Sequence, residues 1–229
     1  MRVTYSPARA SALIVHAHPE PASFSTAQFR TARDSLTAQG YDVNVIDLYA
    51  RHWNPVLDRG EFPLVDGPFK PQREQQDAVR NGTLAPEVQA DLELLLNADL
   101  LVLSFPLWWF SVPAVLKGWL DRVLVMGATF GGEFGLFDKA GLVGHRAVIL
   151  ATTGGSPGSF APGGAFGDMA DFLYPLHRGV FEFVGYTVLE PIITYGPAHM
   201  NDEERDAALG AVREALESIS GRPAVSTGR

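Results

Sequence analysis

The sequence predicts an α/β fold whose core is a five-stranded parallel sheet with helices on both faces. Short apolar runs alternate with helix-like segments five times along the 229 residues, which is the order of repeated β–α units. The central run, residues 100–103, is apolar without interruption, as a parallel strand is when both of its faces are covered. We therefore expect one domain over residues 11–220, with a flexible arm at 1–10 and a disordered tail at 221–229.

The first half of the chain supplies two strands and the helices around them. Residues 12–17 form a short β-rich run, and residues 23–39 form a helical segment that stops at Gly40, a residue favoured just beyond a helix end. Residues 41–48 alternate between apolar and polar side chains, which indicates a second strand. A helix at 86–97 then leads into the central strand.

The second half continues the alternation. Pro113 suits the first turn of a helix, where a missing N–H costs nothing, and residues 114–125 carry apolar side chains at helical spacing. A capping residue at Asn201 or Asp202 marks the start of the last helix. The remaining elements are predicted as strands at 147–151 and 187–194 and as helices at 166–184 and 202–219.

Residues 49–84 form a polar, proline-bearing connection between the second strand and the helix that follows. A connection of this length inside a compact domain commonly carries a function. We expect it to cover a site or to reach a partner subunit.

Composition excludes several classes of function. The chain has no cysteine, which rules out disulfides, thiolate metal sites and cysteine nucleophiles and fits a cytoplasmic protein. Its net charge of −8 argues against a partner that presents phosphates, such as nucleic acid or an anionic membrane. The apolar run at 100–116 contains two prolines and two serines, which disfavour a membrane span. Residues 1–10 lack the apolar stretch of a secretory signal.

Three adjacent aromatic residues, Trp108, Trp109 and Phe110, stand between the central strand and the next helix. This position is the carboxyl end of a strand, where ligands bind in open α/β sheets. Side chains placed there are poorly situated to form core. We expect these rings to line a flat ligand.

Two further loops meet the same edge of the predicted sheet. Residues 16–25 lead into a helix whose free N–H groups and dipole favour an anion such as phosphate, although Ser23 is equally explained as a simple helix cap. The loop does not follow the P-loop or GxGxxG patterns. Residues 152–159 contain paired glycines, which let a ligand approach backbone N–H groups closely. Backbone N–H donors on one side of a site and aromatic ring faces on the other suit an isoalloxazine, which has a polar edge and a flat apolar body.

The histidines and serines favour neither a metal site nor a hydrolase. His16 and His18 lie two residues apart, but no third ligand of a suitable type is nearby, so we expect no metal and interpret His18 as a phosphate or flavin contact. No serine stands in a GxSxG elbow.

The same loops carry a resemblance that covers residues 12–219. Together the motifs resemble the NAD(P)H:quinone oxidoreductase family, and the resemblance implies a flavodoxin-like fold, tightly bound FAD (FMN in some close relatives) and a homodimer with an active site at each subunit interface. The motifs are residues 12–18 with 23–25, residues 106–110 with 117–119, residues 152–156, and shorter matches at 137–139, 167–169, 188–191 and 199–205.

By position, the resemblance assigns cofactor contacts. Lys70 and Trp108 stand where well-known members have glutamine, and Asp202 is a second candidate, with Arg205, to approach the adenosine. The assigned residues are His18, Phe24 and Ser25 for the pyrophosphate and ribityl region, Leu107, Trp108, Trp109, Phe110, Thr152, Thr153, Gly154 and Gly155 for the isoalloxazine, and Arg205 for the adenosine.

One departure from the family concerns proton handling. The best-known mammalian members carry a tyrosine and a histidine where this chain has Phe160 and Phe166, and phenylalanine donates no hydrogen bond. Loss of such a general acid commonly slows a reaction by about 10²- to 10⁴-fold. The residue that would replace the pair is unknown. We expect an apolar substrate pocket formed by Trp109, Phe110, Phe160 and Phe166.

The resemblance implies ping-pong chemistry, in which NADH or NADPH gives a hydride to the flavin and leaves before a quinone takes two electrons. Two alternatives stay open. A reductase of the same fold could act on azo, nitro or pathway-specific aromatic substrates, and a non-catalytic electron carrier or regulatory subunit could bind flavin without turnover.

Overall fold

The computed structural model describes residues 9–62 and 67–225. Within these ranges the chain forms six strands and six α-helices. They are β1 (Ser11–His16), α1 (Phe24–Ala38), β2 (Asp42–Asp47), α2 (Pro71–Asn81), α3 (Pro86–Leu96), β3 (Leu100–Pro106), α4 (Ala114–Val123), β4 (Arg146–Thr153), α5 (Met169–Leu176), β5 (Thr187–Val188), β6 (Ile192–Tyr195) and α6 (Asp202–Glu217).

All six strands belong to one parallel sheet, in the order β2-β1-β3-β4-β5, with β6 also paired to β4. This confirms the predicted doubly wound architecture. Alternate residues of each strand face opposite layers: Leu13 and Leu101 pack with α3, α4 and α5, whereas Ile14 and Val102 pack with α1 and α6. The strand order reverses between β1 and β3, which is where such folds bind ligands.

The connection between β2 and α3 contains helix α2, which the sequence analysis did not predict. Pro71 begins the helix, and Gly82 ends it in a left-handed conformation with φ of 65°. Only Gln75 and Ala78 are buried, so the helix has no apolar stripe to reveal it in the sequence. The predicted connection is therefore partly helical.

A buried arginine fixes this connection to the domain. The side chain of Arg122 is 1% exposed, and its guanidinium donates to Glu61 at 2.8 Å, to Glu87 at 2.9 Å and to the carbonyl of Asn54 at 2.7 Å. It also lies 5.0 Å from the ring centre of Trp53. Removal of one partner would leave a charge without compensation, so these contacts act as one unit.

The last predicted strand is interrupted. β5 and β6 both pair with β4, but Pro191 separates them, because proline has no N–H to donate to a ladder. The carbonyls at this break accept from Arg222, at 2.6 Å for Glu190 and 2.9 Å for Pro191.

The chain beyond α6 differs from the disordered tail predicted at 221–229. Ala224 forms an antiparallel bridge with Leu189, and the N–H of Val225 donates to Val188 at 2.8 Å, so residues 222–225 cover the edge of β5. Residues 226–229, and residues 1–8 of the predicted arm, lie outside the described residues. The predicted domain limits stay a prediction.

The helix predicted at 166–184 is shorter than expected. It consists of α5, which contains Pro175, followed by a π-helical segment at His177–Glu182. A proline inside a helix removes one backbone donor, and a local widening of the helix accommodates the change. In the part of the chain that the structure describes, no helix has both the length and the apolar character needed to cross a bilayer.

Candidate active site

Three loops meet at the carboxyl edge of β1, β3 and β4, as predicted. The Ser25 and Thr152 hydroxyls are 2.6 Å apart, and the N–H of Leu107 donates to the carbonyl of Thr152 at 2.7 Å. The ring of His18 lies 5.9 Å from that of Trp108. These contacts bring predicted cofactor residues from all three loops into one continuous site.

The first part of this site is the start of α1. Ser23 caps the helix, since its hydroxyl accepts from the N–H of Thr26 at 3.1 Å, so the simple capping role is confirmed. The N–H groups of Phe24 and Ser25 have no acceptor among the described residues. Free donors at a helix start, together with the helix dipole, favour an anion.

His18 adds a side-chain donor beside α1. The N–H of Glu20 donates to Nδ1 of His18 at 3.0 Å, so Nδ1 is an acceptor and the proton of the neutral ring lies on Nε2. Partial burial lowers the pKa of His18, which favours this neutral form. Nε2 is then a fixed donor for an anionic ligand.

His16, by contrast, belongs to the core. It is fully buried, stacks on Phe29 with ring centres 4.4 Å apart, and lies within hydrogen-bond distance of the hydroxyls of Ser104 at 3.0 Å and Thr26 at 3.2 Å. Burial lowers its pKa to about 4. Its ring nitrogens are therefore engaged within the protein, and it does not form a metal-binding pair with His18.

The aromatic loop forms a tight hairpin that the sequence did not predict. Trp108 and Ser111 exchange two backbone hydrogen bonds of 3.0 Å each, and the two residues between them, Trp109 and Phe110, have φ values of 52° and 57°. Positive φ costs a residue with a side chain about 1–2 kcal/mol, so the two positions together cost about 2–4 kcal/mol.

The rings of this hairpin are exposed, as expected for a ligand-binding loop. Trp109 is 96% exposed, and Trp108 and Phe110 are each 41% exposed. The N–H groups of Trp109 and Phe110 make no hydrogen bond within the described ranges. The turn therefore presents two free donors next to exposed aromatic surface.

The paired glycines after β4 provide a second set of donors. The N–H groups of Gly154 and Gly155 are likewise without acceptors among residues 9–62 and 67–225. A Cβ on Gly154 would meet no atom within 4 Å, so a ligand has open access there. A Cβ on Gly155 would lie 2.7 Å from Phe160 and 2.9 Å from Phe166, so both rings pack directly on the glycine.

The donors and surfaces fit a flavin. An isoalloxazine has a polar edge that needs several hydrogen bonds and a flat apolar body, and four free N–H groups beside exposed aromatic rings match both needs. The start of α1 and His18 offer a separate place for phosphate. The residues present thus fit the cofactor that the sequence analysis expected.

Arg205 lies at the same edge of the sheet as the anion site. Gln39, just beyond α1, donates to the carbonyl of Leu216 near the end of α6 at 3.1 Å, and both helices follow parallel strands, so their first turns share one edge. Arg205 stands exposed in the first turn of α6 and forms no ion pair with the described residues.

Four phenylalanine rings pack against one another where the hairpin adjoins the paired glycines. Phe110 stacks on Phe172 at 4.7 Å and lies 5.7 Å from Phe166 and 6.1 Å from Phe160. Phe160 is only 4% exposed, whereas Phe166 is 46% exposed. Of the predicted pocket residues, Phe160 therefore supports the site from below, and Phe166, Phe110 and Trp109 contribute surface. Phe172 was missed, since only its place early in a predicted helix hinted at a role.

An open apolar groove of about 1020 Å³ adjoins this cluster. Its walls include Phe110, Phe172 and Phe183, and Lys70 stands at one end, directly before α2. Phe110 is the one predicted cofactor residue that lines it. The groove therefore adjoins the predicted cofactor residues and shares Phe110 with them.

Comparison with known proteins gives consistent matches. The family model described as "Flavodoxin-like fold" matches residues 10–218. The chain is 38% identical to human ribosyldihydronicotinamide dehydrogenase [quinone] over 210 residues, and this match covers 90% of each protein. It is 36% identical over 211 residues to NAD(P)H dehydrogenase [quinone] 1 of Rattus norvegicus, which covers 91% of this chain and 77% of the relative.

Solved structures agree with these sequence matches. A candidate quinone reductase of Klebsiella pneumoniae superposes with a TM-score of 0.91 at 32% identity, over 96% of this chain and 88% of the other. The NAD(P)H:quinone oxidoreductase of Methanothermobacter marburgensis superposes with a TM-score of 0.72 at 26% identity, over 93% and 98% of the two chains.

Proposed function

This chain belongs to the NAD(P)H:quinone oxidoreductase family and is an oxidoreductase of that type, and from this premise we propose that it is a flavin-dependent NAD(P)H:quinone reductase. One observation carries the proposal. The N–H groups of Trp109, Phe110, Gly154 and Gly155 have no acceptor among the described residues, and they lie on two adjoining loops beside exposed aromatic rings, which is the environment that an isoalloxazine requires.

The chain's own residues would hold the cofactor at two places. Nε2 of His18 and the N–H groups of Phe24 and Ser25 would bind phosphate, and Arg205 would extend the site toward an adenosine. We therefore propose FAD, with FMN as the second candidate. When bound, the flavin would take a hydride from NADH or NADPH and later pass two electrons to a quinone, in ping-pong order.

The paired glycines would stabilise negative charge in the site. Fixed N–H donors stabilise negative charge that develops at a bound group, and those of Gly154 and Gly155 have no acceptor among the described residues. Phe160 and Phe166 supply no proton, so the proton needed by the acceptor comes from water or from another group. The surface that Phe166, Trp109 and Phe110 form over Phe160 is apolar, so it favours apolar aromatic acceptors.

We also propose that the protein acts as a cytoplasmic homodimer, whose flavin-binding domain spans residues 11–220. The open groove beside Phe110 supports an interface, because a partner subunit seated there would remove its apolar walls from water. Residues 71–81, within the connection expected to reach a partner, form α2, and Lys70 and Pro71 line the groove. Light scattering on the holoprotein should give twice the chain mass, whereas a single-chain mass would contradict the dimer.

A reductase acting on azo or nitro compounds is the second candidate. The observation that favours it is the replacement of both expected proton donors by Phe160 and Phe166. The third alternative from the sequence, a non-catalytic flavin carrier or regulatory subunit that binds flavin without turnover, is disfavoured by the relationship to quinone dehydrogenases.

The test begins with release of the bound chromophore and its identification as FAD or FMN. Turnover with NADH and with NADPH is then compared for menadione and for an azo dye. We expect FAD and a higher kcat/KM for menadione. Preference for the dye would favour the second candidate, and bound flavin with no turnover of either acceptor would favour the third.

A further inference from the structure

The hairpin between β3 and α4 needs support from outside itself. Trp109 and Phe110 both have positive φ, and neither is glycine, asparagine or aspartate, the residues that tolerate this conformation. The ring of Trp109 is 96% exposed and makes no ring contact with the described residues. The side chain that anchors the turn is therefore Phe110.

The nearest ring to Phe110 comes from α5. Phe172 stacks on it with centres 4.7 Å apart and planes at 21°, whereas Phe160 and Phe166 lie farther away and are tilted. Such stacked pairs attract each other beyond the effect of buried area alone. Phe172 therefore makes the closest aromatic contact of the anchoring ring.

Helix α5, which carries Phe172, is held in place by its own cap and by the core. Asp168 caps it by accepting from the N–H of Ala170 at 2.9 Å. Leu173, the next residue after Phe172, is 1% exposed and packs in the core beneath the sheet. The ring of Phe172 is therefore held by elements that do not belong to the hairpin.

We propose that Phe172 is a positioning residue for the cofactor site. Its ring holds Phe110 in the left-handed conformation, and this keeps the N–H groups of Trp109 and Phe110 directed toward the bound group. Phe172 itself need not touch the cofactor. The proposal rests on the proposed function, because it takes that group to be a flavin.

Two kinds of measurement test the role. Phe172→Leu keeps the apolar character and removes the ring, and Phe181→Leu does the same at a residue that is 1% exposed and makes no ring contact with Phe110. For each variant, FAD is titrated into the apoprotein and its fluorescence is followed. Hydrogen exchange is measured by mass spectrometry on the apoprotein, for the peptide containing the Ser111 N–H.

The stacked ring sets the expected size of the effect. Loss of one aromatic pair corresponds to about 3- to 10-fold in an equilibrium constant. Phe172→Leu should weaken FAD binding and speed exchange at Ser111 by about that factor. Phe172→Tyr should retain both, and Phe181→Leu should change neither.

A double-mutant cycle separates positioning from general stability. In a Phe110→Leu background, Phe172→Leu should weaken FAD binding no further, because the contact is already lost. An equal loss in both backgrounds, or unchanged FAD affinity and exchange in Phe172→Leu, would overturn the proposal. If the wild-type protein binds no flavin, the proposed function fails, while the exchange at Ser111 still decides whether Phe172 holds the turn.

Discussion

Folding stability should fall as the pH is lowered from 6.5 toward 4, because His16 is buried in its neutral form. Burial lowers its pKa in the folded protein to about 4, whereas the unfolded chain has the ordinary value of 6.5. Between these values the unfolded state binds the proton more readily than the folded state. The stability contributed by neutral His16 is therefore complete above pH 6.5 and is lost as the pH falls toward 4.

The size of this loss follows from the two pKa values. At pH 5 the difference in proton binding corresponds to about 2 kcal/mol for His16. His177 is 3% exposed, and burial also lowers its pKa to about 4, so it adds a similar amount. We expect the wild-type protein to lose about 4 kcal/mol between pH 7.5 and pH 5, and the variant His16→Gln to lose about 2 kcal/mol.

Urea denaturation at the two pH values measures these losses. Each protein is compared with itself, so any difference in stability between the variants at pH 7.5 cancels. His52→Asn serves as the control, because His52 is exposed and asparagine tolerates its positive φ of 49°. If His16→Gln loses as much stability as the wild type, His16 is not the buried titrating group described above.

Three further changes give separate results. Arg122→Met should lower the free energy of unfolding by about 3 kcal/mol in urea denaturation, since it leaves a mostly buried carboxylate unpaired, and a loss below about 1 kcal/mol would contradict the role of that network. Phe166→His restores a donor beside the paired glycines and should raise kcat/KM for menadione by up to about 10²-fold, whereas an unchanged rate would show that the donor is not limiting. Gly154→Ala should leave the free energy of unfolding within about 0.5 kcal/mol but weaken FAD binding about tenfold, because its Cβ meets no protein atom and would occupy ligand space. The equally open Gly158→Ala is its control, and similar FAD affinities for the two variants would contradict the placement of the ring.

The sheet and its binding edge could be predicted because their signals are local. Continuous apolar runs such as residues 100–103 mark buried parallel strands, and alternation with helical segments sets the topology. Helix α2 escaped prediction because its buried positions include a polar residue, Gln75, so its sequence lacks an apolar stripe. The break at Pro191, by contrast, could have been predicted, because proline has no N–H to donate to a ladder.

The candidate site was predictable in its location and not in its conformation. The aromatic loop was placed correctly at a strand end, but tight turns with positive φ are normally signalled by Asn-Gly and not by Trp109 and Phe110. That conformation depends on Phe172, which is more than sixty residues away in sequence. Similarly, His16 and His18 look alike in the sequence, and only the packing of Phe29 against His16 separates a core residue from a candidate ligand contact.

The most direct test of the proposed function follows the colour of the bound flavin in the absence of oxygen. Addition of NADH or NADPH to the holoprotein should bleach the flavin absorbance. After the nicotinamide is removed, menadione alone should restore it, with one quinone reduced for each flavin. A protein that retains its flavin but is bleached by neither nicotinamide would contradict the account.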